Sequence, residues 1–499
     1  MEFRKTVTDT ALFIPVKLDG KEQLLEIFYE KEKLFEFKIP VGDKADGGYD
    51  YLAKLPVPEY SGKELTFKGD MPQHFFEEIH NDDVRLEPDE KRPLAHFTAK
   101  TGWINDPNGL IYDGEYYHLY FQYNPFHISW ENMSWGHAVS KDLIHWQQKD
   151  SVMFPDENGM IFSGCGIIVE GEYCFPYTVA GTSTPWSDGK PFYQGLAKSF
   201  DRGETLVKMK EPFLGITGKD SRDPKIFWHQ ESQAYIMALY LEKTDFAIYR
   251  STDFKSWVET QRFTLDKAWE CPNLLQVPVE SGGHKWMFWA ADGFYYWGEF
   301  DGYTFESDWK EHKANFNEVP YAAQTFWGID DRIVQMTWLR LERNGANYNG
   351  AMGIPRVLSC KQDGDDYLLL QRPAQEFVDL LTESDLSEDK PYMVEIEADH
   401  KRDHILDLEI NGSRVTFDFD SGRLTVDEKS DLLPDNVENI QLIVDYNILE
   451  ITINYAIMAV YKLKGSETSF ELNWRKNGNT KGCSKGDRIN GNYCLKSFK

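Results

Sequence analysis

Ser140-Lys-Asp-Leu-Ile-His-Trp146 and Ser251-Thr-Asp-Phe-Lys-Ser-Trp257 repeat one spacing, Ser-x-Asp-x-x-x-Trp. A serine and an aspartate two residues apart can bond the backbone of a tight turn, and the tryptophan that follows is a large apolar anchor. The surroundings of both copies are alike. From about Arg92 to Pro373 the chain carries 14 of its 15 tryptophans, and short apolar–aromatic runs alternate with Gly, Asp and Asn turns. Apolar residues at helical spacing are nearly absent, so the segment reads as antiparallel and all-β. A strand-turn-Trp unit that recurs in so long a segment predicts a propeller of repeated small sheets.

Outward from this segment the pattern changes on both sides. Downstream, Leu406, Leu408 and Ile410 precede the turn Asn411-Gly412; Val415, Phe417 and Phe419 precede Ser421-Gly422; Leu424 and Val426 follow. Strict alternation with two-residue turns predicts a meander with one buried face, hence a β-sandwich. Upstream, Phe13 to Leu18, a turn at Asp19-Gly20, Leu24 to Tyr29 and Phe35 to Ile39 read as short strands, and the charged stretch Asp82 to Arg92 reads as a linker. The expected division is an N-terminal β-rich accessory domain over 1–88, a propeller over 89–373, a sandwich over 374–474 and a tail over 475–499. That tail holds seven Lys/Arg and one Asp among Gly and Asn, a composition expected to stay flexible.

The totals restrict function more than fold. With 54 basic and 82 acidic residues the formal charge is −28, which disfavours nucleic acid and anionic membranes as partners and favours a neutral small substrate. No apolar run approaches the ~18 residues that span a bilayer. Residues 1–20 show no basic stretch followed by a continuous apolar run, so no secretory signal is read there. The six cysteines are widely spaced, without a Cys/His cluster, so no metal or disulfide framework is expected and a cytoplasmic location is the simplest expectation.

Three carboxylates share a local setting. Asp106 lies in Trp103-Ile-Asn-Asp-Pro-Asn-Gly109, Asp223 in Arg222-Asp-Pro224, and Glu270 in Trp269-Glu-Cys-Pro272. Each has a proline within two residues, which fixes local backbone geometry, and none has an acidic neighbour. Taken singly, Asp-Pro is an ordinary turn element. Taken together, the trio suits glycosidic hydrolysis: one acid attacks or activates water, one protonates the leaving oxygen, and a third hydrogen-bonds the sugar as positive charge grows. Arg222 is expected to hold Asp223 ionised, and Glu270, beside Trp269 and Cys271, to be the desolvated acid. Trp130, Trp135 and Trp327 offer apolar faces for a sugar ring, with Gln122 and Asn105 as orienting hydrogen bonders, although most tryptophans are structural. The sequence contains no G-x-S-x-G elbow, P-loop, dinucleotide glycine turn or H-E-x-x-H.

The motifs, in order, resemble those of glycoside hydrolase family 32, the invertase, levanase and inulinase group. They are Arg92-Pro-Leu-Ala-His-Phe97, Trp103 to Gly109, Phe121-Gln-Tyr-Asn-Pro125, Trp135-Gly-His137 leading to Ser140 to Trp146, Phe162-Ser-Gly164, Arg222-Asp-Pro224, Glu270-Cys-Pro272, Tyr321-Ala-Ala-Gln324, Pro355-Arg356 and Gln371-Arg-Pro373. The resemblance implies a five-bladed β-propeller followed by a C-terminal β-sandwich, and a retaining β-fructofuranosidase that needs no cofactor. It implies Asp106 as nucleophile, Asp223 as transition-state stabiliser and Glu270 as general acid/base. Asn105, Gln122, Trp130, Ser163, Arg222 and Trp327 would line the fructose subsite, and sucrose, a fructo-oligosaccharide or a fructan would be the substrate. Ile104 stands where the family usually has Met, Cys165 where it usually has Ser, and Asn454-Tyr455 departs from its usual late turn. The alternatives are a fructosyltransferase, an inverting furanosidase for arabinose polymers, and a non-catalytic fructan-binding propeller. The N-terminal segment is a candidate for carbohydrate binding, for a homo-oligomer contact, or for a cap near the pocket.

Overall fold

The structure, a computed structural model, describes the chain except residues 44–47, 83–90, 182–183, 342–344, 384–385, 387–388, 399–402, 477–478, 484–492 and 499. Most of the expected linker (83–90) therefore lies outside the described residues. The described fold is all-β, with two five-residue α-helices, Gln73–Glu77 and Gln375–Asp379, and one short 3-10 turn. No described helix is long and apolar enough to cross a membrane.

In the middle segment successive antiparallel sheets follow one another in chain order. The first is built on Gly102–Tyr112, Tyr117–Asn124 and Ser134–Ser140, and the second on Met160–Gly164, Glu172–Ala180 and Tyr193–Ser199. The third runs Arg222–His229, Ala234–Glu242, Asp245–Ser251, Val258–Thr264; the fourth starts at Asn273–Pro278; the last pairs Pro320–Thr325, Ile333–Leu339, Arg356–Asp363 and Asp366–Pro373. The succession closes on itself, because Tyr348–Asn349 adds in parallel to Gly102–Trp103 of the first sheet. A bridge between Ile111 and Trp327 reinforces the closure.

The Ser-x-Asp repeat marks the end of the third strand in each early sheet. Ser140 Oγ donates to Asp142 (3.0 Å) and Ser251 Oγ to Asp253 (2.9 Å), and both aspartates accept backbone N–H groups two and three residues on. A third copy, Ser199-Phe-Asp201, makes the same turn (2.7 Å), but Thr205 ends it where the others have tryptophan. That substitution hid it from the sequence pattern. The residue after the aspartate sits at positive φ in all three turns: Leu143 (63°), Arg202 (60°) and Phe254 (58°).

The C-terminal meander folds as expected. Leu406, Leu408, Ile410, Val415, Phe417, Leu424 and Val426 are buried, and Asn411 (φ 46°) and Gly412 (φ 76°) both take the left-handed conformation of a two-residue hairpin turn. This sheet packs on a second six-stranded sheet to form a sandwich with one shared core. Within 475–499, expected to be a flexible tail, the described residues include two strands. Asn479–Cys483 pairs with Phe470–Lys476, and Tyr493–Phe498 inserts between Leu381–Thr382 and Tyr392–Glu397. Its backbone groups are satisfied on both edges, while Leu495 packs on the sandwich core and Phe498 against Phe377, so strand pairing outweighs the basic composition. In the N-terminal segment the Asp19-Gly20 turn links two sheets instead of closing a hairpin: Ala11–Val16 pairs with Tyr51–Pro56, and Lys21–Tyr29 with Glu32–Val41.

A buried ionic network joins the last propeller strands to the sandwich. Asp445 accepts the backbone N–H groups of Leu94, Ala95 and His96 (2.9, 2.8 and 2.9 Å) and the His96 ring at 2.9 Å. The other ring nitrogen of His96 reaches Glu450 at 3.2 Å, and Glu450 also binds Arg356 and the Ile354 N–H. Burial alone would depress the His96 pKa, but hydrogen bonds to Asp445 and Glu450 reverse this and lift it to about 9. Burial would raise Glu450; Arg356 and His96 instead hold it down at about 2. The imidazolium contribution to stability is complete below pH 6.5 and is lost as pH rises through about 9. That of Glu450 is present above 4.5 and is lost as pH falls through about 2. Glu450→Gln, which leaves buried Arg356 without its carboxylate and His96 with Asp445 alone, should lower unfolding stability by about 3–5 kcal/mol in a urea titration at pH 7. The wild-type midpoint should itself decline between pH 6.5 and 9.

Candidate active site

The first strands of four of the five sheets share one irregularity. Register shifts fall between Ile104 and Pro107, Ile161 and Gly164, Arg222 and Lys225, and Tyr321 and Gln324. Inside those gaps lie Asn105 and Asp106, Ser163, Asp223, and Ala322 with Ala323. Pro107 and Pro224 supply no N–H to the ladder, so their strands bulge, and a bulge re-aims the side chains next to it. Asp223 (φ 63°), Glu270 (φ 50°), Cys271 (φ 39°) and Ala322 (φ 51°) all sit in the left-handed region. Non-glycine residues there cost of order 1–3 kcal/mol, and such strain gathers at functional sites.

These irregularities converge on one cavity lined by Asp106, Ser163, Asp223, Lys225, Cys271 and Gln324, among others. Asp106 accepts from Ser163 Oγ (2.6 Å) and Asn105 Nδ2 (3.1 Å), and the Cys271 thiol lies 3.7 Å away. Asn105 is itself oriented by Trp103 Nε1 at 2.9 Å. Asp223 accepts the Cys271 N–H at 3.3 Å, and its own N–H is held by Thr178 Oγ1 at 3.1 Å. Glu270, one residue before Cys271, receives Arg222 on Oε1 (2.6 and 3.2 Å) and the Tyr321 hydroxyl on Oε2 (2.6 Å). The Arg222 guanidinium stacks over Tyr240 at 4.5 Å. Below the acids, Lys225 donates to the Thr325 carbonyl (2.7 Å), and burial lowers it to about 8.

The charge assignment differs from the sequence expectation. Arg222 makes its close contacts with Glu270 and stands 3.5 Å from Asp223. Burial, with the charges of Glu270 and Asp106, outweighs Arg222 and raises Asp223 well above the usual carboxylate range. Glu270 is not the desolvated acid: its side chain is 24% exposed and ion-paired. Asp106 is raised by burial and by Glu270, against the hydrogen bonds of Ser163 and Asn105 that favour its ionised form.

The subsite residues divide into two groups. Asn105, Ser163 and Arg222 touch the acids directly. Gln122, opposite Trp135, is 2% exposed, and neither of its amide atoms has a protein partner. Such orphaned groups cost about 1–3 kcal/mol each unless water or a ligand satisfies them. Trp130 is 45% exposed with its ring edge-on to Phe162 at 6.0 Å. Trp327 packs against two inter-sheet clusters and bonds backbone to backbone with Leu110 and Tyr112, so its described contacts are those of ring closure. Sequence reasoning gave no role to Tyr321, Cys271, Lys225 or Gln324. The motif Tyr321-Ala-Ala-Gln324 carried the signal for two of them. It also passed over Asp292, a turn residue that burial raises to about 6, with Glu270 adding to the shift. Among the described residues no group of three or more His, Cys, Asp or Glu side chains is arranged to hold a metal ion.

Residues 96–373 match the model of the glycosyl hydrolases family 32 N-terminal domain, more than half of the chain. The chain belongs to family 32. It is 31% identical to the levanase of Bacillus subtilis over 58% of its length and 47% of that protein, and 34% identical to an invertase of Debaryomyces hansenii over 50% and 52%. It thus spans about half the length of the curated relatives it matches. The exo-inulinase of Aspergillus awamori shares its fold, with a TM-score of 0.71 at 23% identity over 82% of this chain and 98% of that one. A family 32 structure from Bifidobacterium adolescentis aligns with all of this chain and 99% of its own, at TM-score 0.68 and 17% identity, so its fold extends to the N-terminal segment.

Because the Ser163 hydroxyl stabilises ionised Asp106, Ser163→Ala should raise the Asp106 pKa further. The acid limb of the kcat/KM profile should then move to higher pH, while the alkaline limb stays in place.

Proposed function

We propose that the chain is a retaining β-fructofuranosidase that releases terminal β-D-fructofuranosyl units from sucrose or fructo-oligosaccharides and fructans. The observation that carries this reading is the meeting of Asp106, Asp223 and the Glu270–Cys271 turn around one cavity. Asp106, oriented by Ser163 and Asn105, attacks the anomeric carbon. Glu270, fixed by Arg222 and Tyr321, protonates the leaving oxygen and then activates water against the fructosyl-enzyme. Asp223, raised by burial and by the charges of Glu270 and Asp106, is suited to donate a hydrogen bond to a sugar hydroxyl and to accept one as charge develops. The orphaned amide of Gln122 supports a polar ligand close by.

We propose with it that the successive sheets are the blades of a five-bladed propeller, with domains at 1–88, 89–373 and 374–474. We also propose a cytoplasmic enzyme, with the N-terminal segment as the candidate contact of a homo-oligomer. Three converging acids weigh against a binding protein without turnover, and nothing in the site favours a sugar over water as acceptor.

Asp106→Asn should reduce fructose release from sucrose by at least about 10⁴-fold with an unchanged melting temperature, in the range for loss of a covalent nucleophile. Residual activity above a trace removes Asp106 from the nucleophile role. Product analysis at high sucrose should yield free fructose in excess over new oligosaccharides.

A further inference from the structure

The N-terminal sheets seat on two loops at one side of the cavity. One is the 125–132 loop that carries Trp130. Asn132 (φ 47°) clamps it to the N-terminal strand Glu32–Val41: Oδ1 accepts the Lys38 N–H at 3.0 Å and Nδ2 donates to the Lys38 carbonyl at 2.9 Å. Lys38 Nζ also reaches Glu131 (3.2 Å), Tyr51 donates to the Pro125 carbonyl (3.1 Å), and Phe37 packs at a tilt against Phe126, ring centroids 4.3 Å apart. The other loop contains Trp186. Glu36, 1% exposed, accepts the Trp186 N–H at 2.9 Å and pairs with Lys33, whose ammonium lies over the Trp186 ring at 5.3 Å. A buried carboxylate held this way is fixed in position, because its charge stays paired only in that geometry.

The two loops meet at aromatic side chains. Trp130 and Phe192 both pack edge-on to Phe162, at 6.0 and 5.6 Å, and Phe162 precedes Ser163, which bonds Asp106. The half-exposed Trp130 therefore stands at a wall beside the proposed nucleophile, on a loop whose position is set from the N-terminal sheets.

We infer that the N-terminal segment is a positioning element for the leaving-group side of the substrate: Asn132 and Glu36 hold the Trp130–Phe162–Phe192 wall so that it packs against the sugar beyond the scissile bond. The inference rests on the fructosidase reading above and deepens it. A sugar leaving group gains binding from the face of this wall beyond the fructose subsite; a methyl leaving group does not extend to that face.

The test compares sucrose and a fructosyl-sucrose trisaccharide with methyl β-D-fructofuranoside, using the full chain. Asn132→Gly keeps the left-handed backbone and removes both bonds to Lys38, together with the Asn132 bond to Asn124 at the base of the same loop (3.1 Å), so Glu36→Ala is the variant that isolates the N-terminal contact. Glu36→Ala releases the Trp186 loop independently, and carries the test should the first variant fail to fold. Each should raise KM for the trisaccharide by about fivefold or more with kcat little changed, the signature of lost uniform binding. Both constants for the methyl fructoside should stay within about twofold of wild type. Equal changes on all three substrates, or no change on any, overturn the inference and leave the fructosidase reading standing. Failure of the wild-type chain to hydrolyse any of the three sinks the fructosidase reading and this inference with it.

Discussion

A strand with a proline in its hydrogen-bonded ladder cannot complete that ladder, and the site depends on this constraint. Pro107 bounds one register shift and Pro224 lies inside another, and the acids before them, Asp106 and Asp223, fall within those gaps. The strands of Ser163 and of Ala322–Ala323 shift at the corresponding place without proline. A set of sheets that would otherwise present alternating side chains to a packed centre instead opens a polar cavity where the first strands of all five meet. The left-handed backbone at Asp223, Glu270, Cys271 and Ala322 is the local cost, offset by the regular ladders that continue outward from each site.

The cavity concentrates like charge. Asp223 and Glu270 flank one guanidinium, that of Arg222, and burial together with crowded like charge raises the pKa of Asp106 and Asp223. The structure divides the load by geometry: Arg222 and Tyr321 take Glu270, Ser163 and Asn105 take Asp106, and Asp223, held by one backbone N–H of Cys271, is left the most proton-retentive. Burial raises both Asp106 and Asp223, and the hydrogen-bonding partners of each acid moderate that effect.

Two clamps far from the acids keep this arrangement in register. On one side, Asp445 and Glu450 of the sandwich bind the entry to the first sheet through His96 and the last sheet through Arg356. Both ends of the sheet succession are thereby tied to one buried charge network. On the other side the N-terminal sheets hold the loops around Trp130 and Trp186. Loops that bear side chains at a cavity mouth otherwise have few backbone partners, and such clamps are what make their positions definite.

By itself the sequence determined the all-β character and the sandwich meander, and it singled out three acids that the fold brings together. Alternation, two-residue turns and Asp-Pro pairs are local signals, and each survives folding unchanged. The Ser-x-Asp turns were legible at Ser140 and Ser251 but not at Ser199, where the bonding is retained and the tryptophan is not. Only the tertiary structure decided which acid Arg222 pairs with, because a neighbour in sequence need not be the nearest charge across a bulge. The same holds for the terminal strand Tyr493–Phe498: its basic composition reads as solvated, yet an open slot between two strands gives its backbone partners that water would otherwise provide. Pairing across distant elements leaves no trace in composition, and that is why the roles of Tyr321, Asn132 and Glu36 emerged only from the fold.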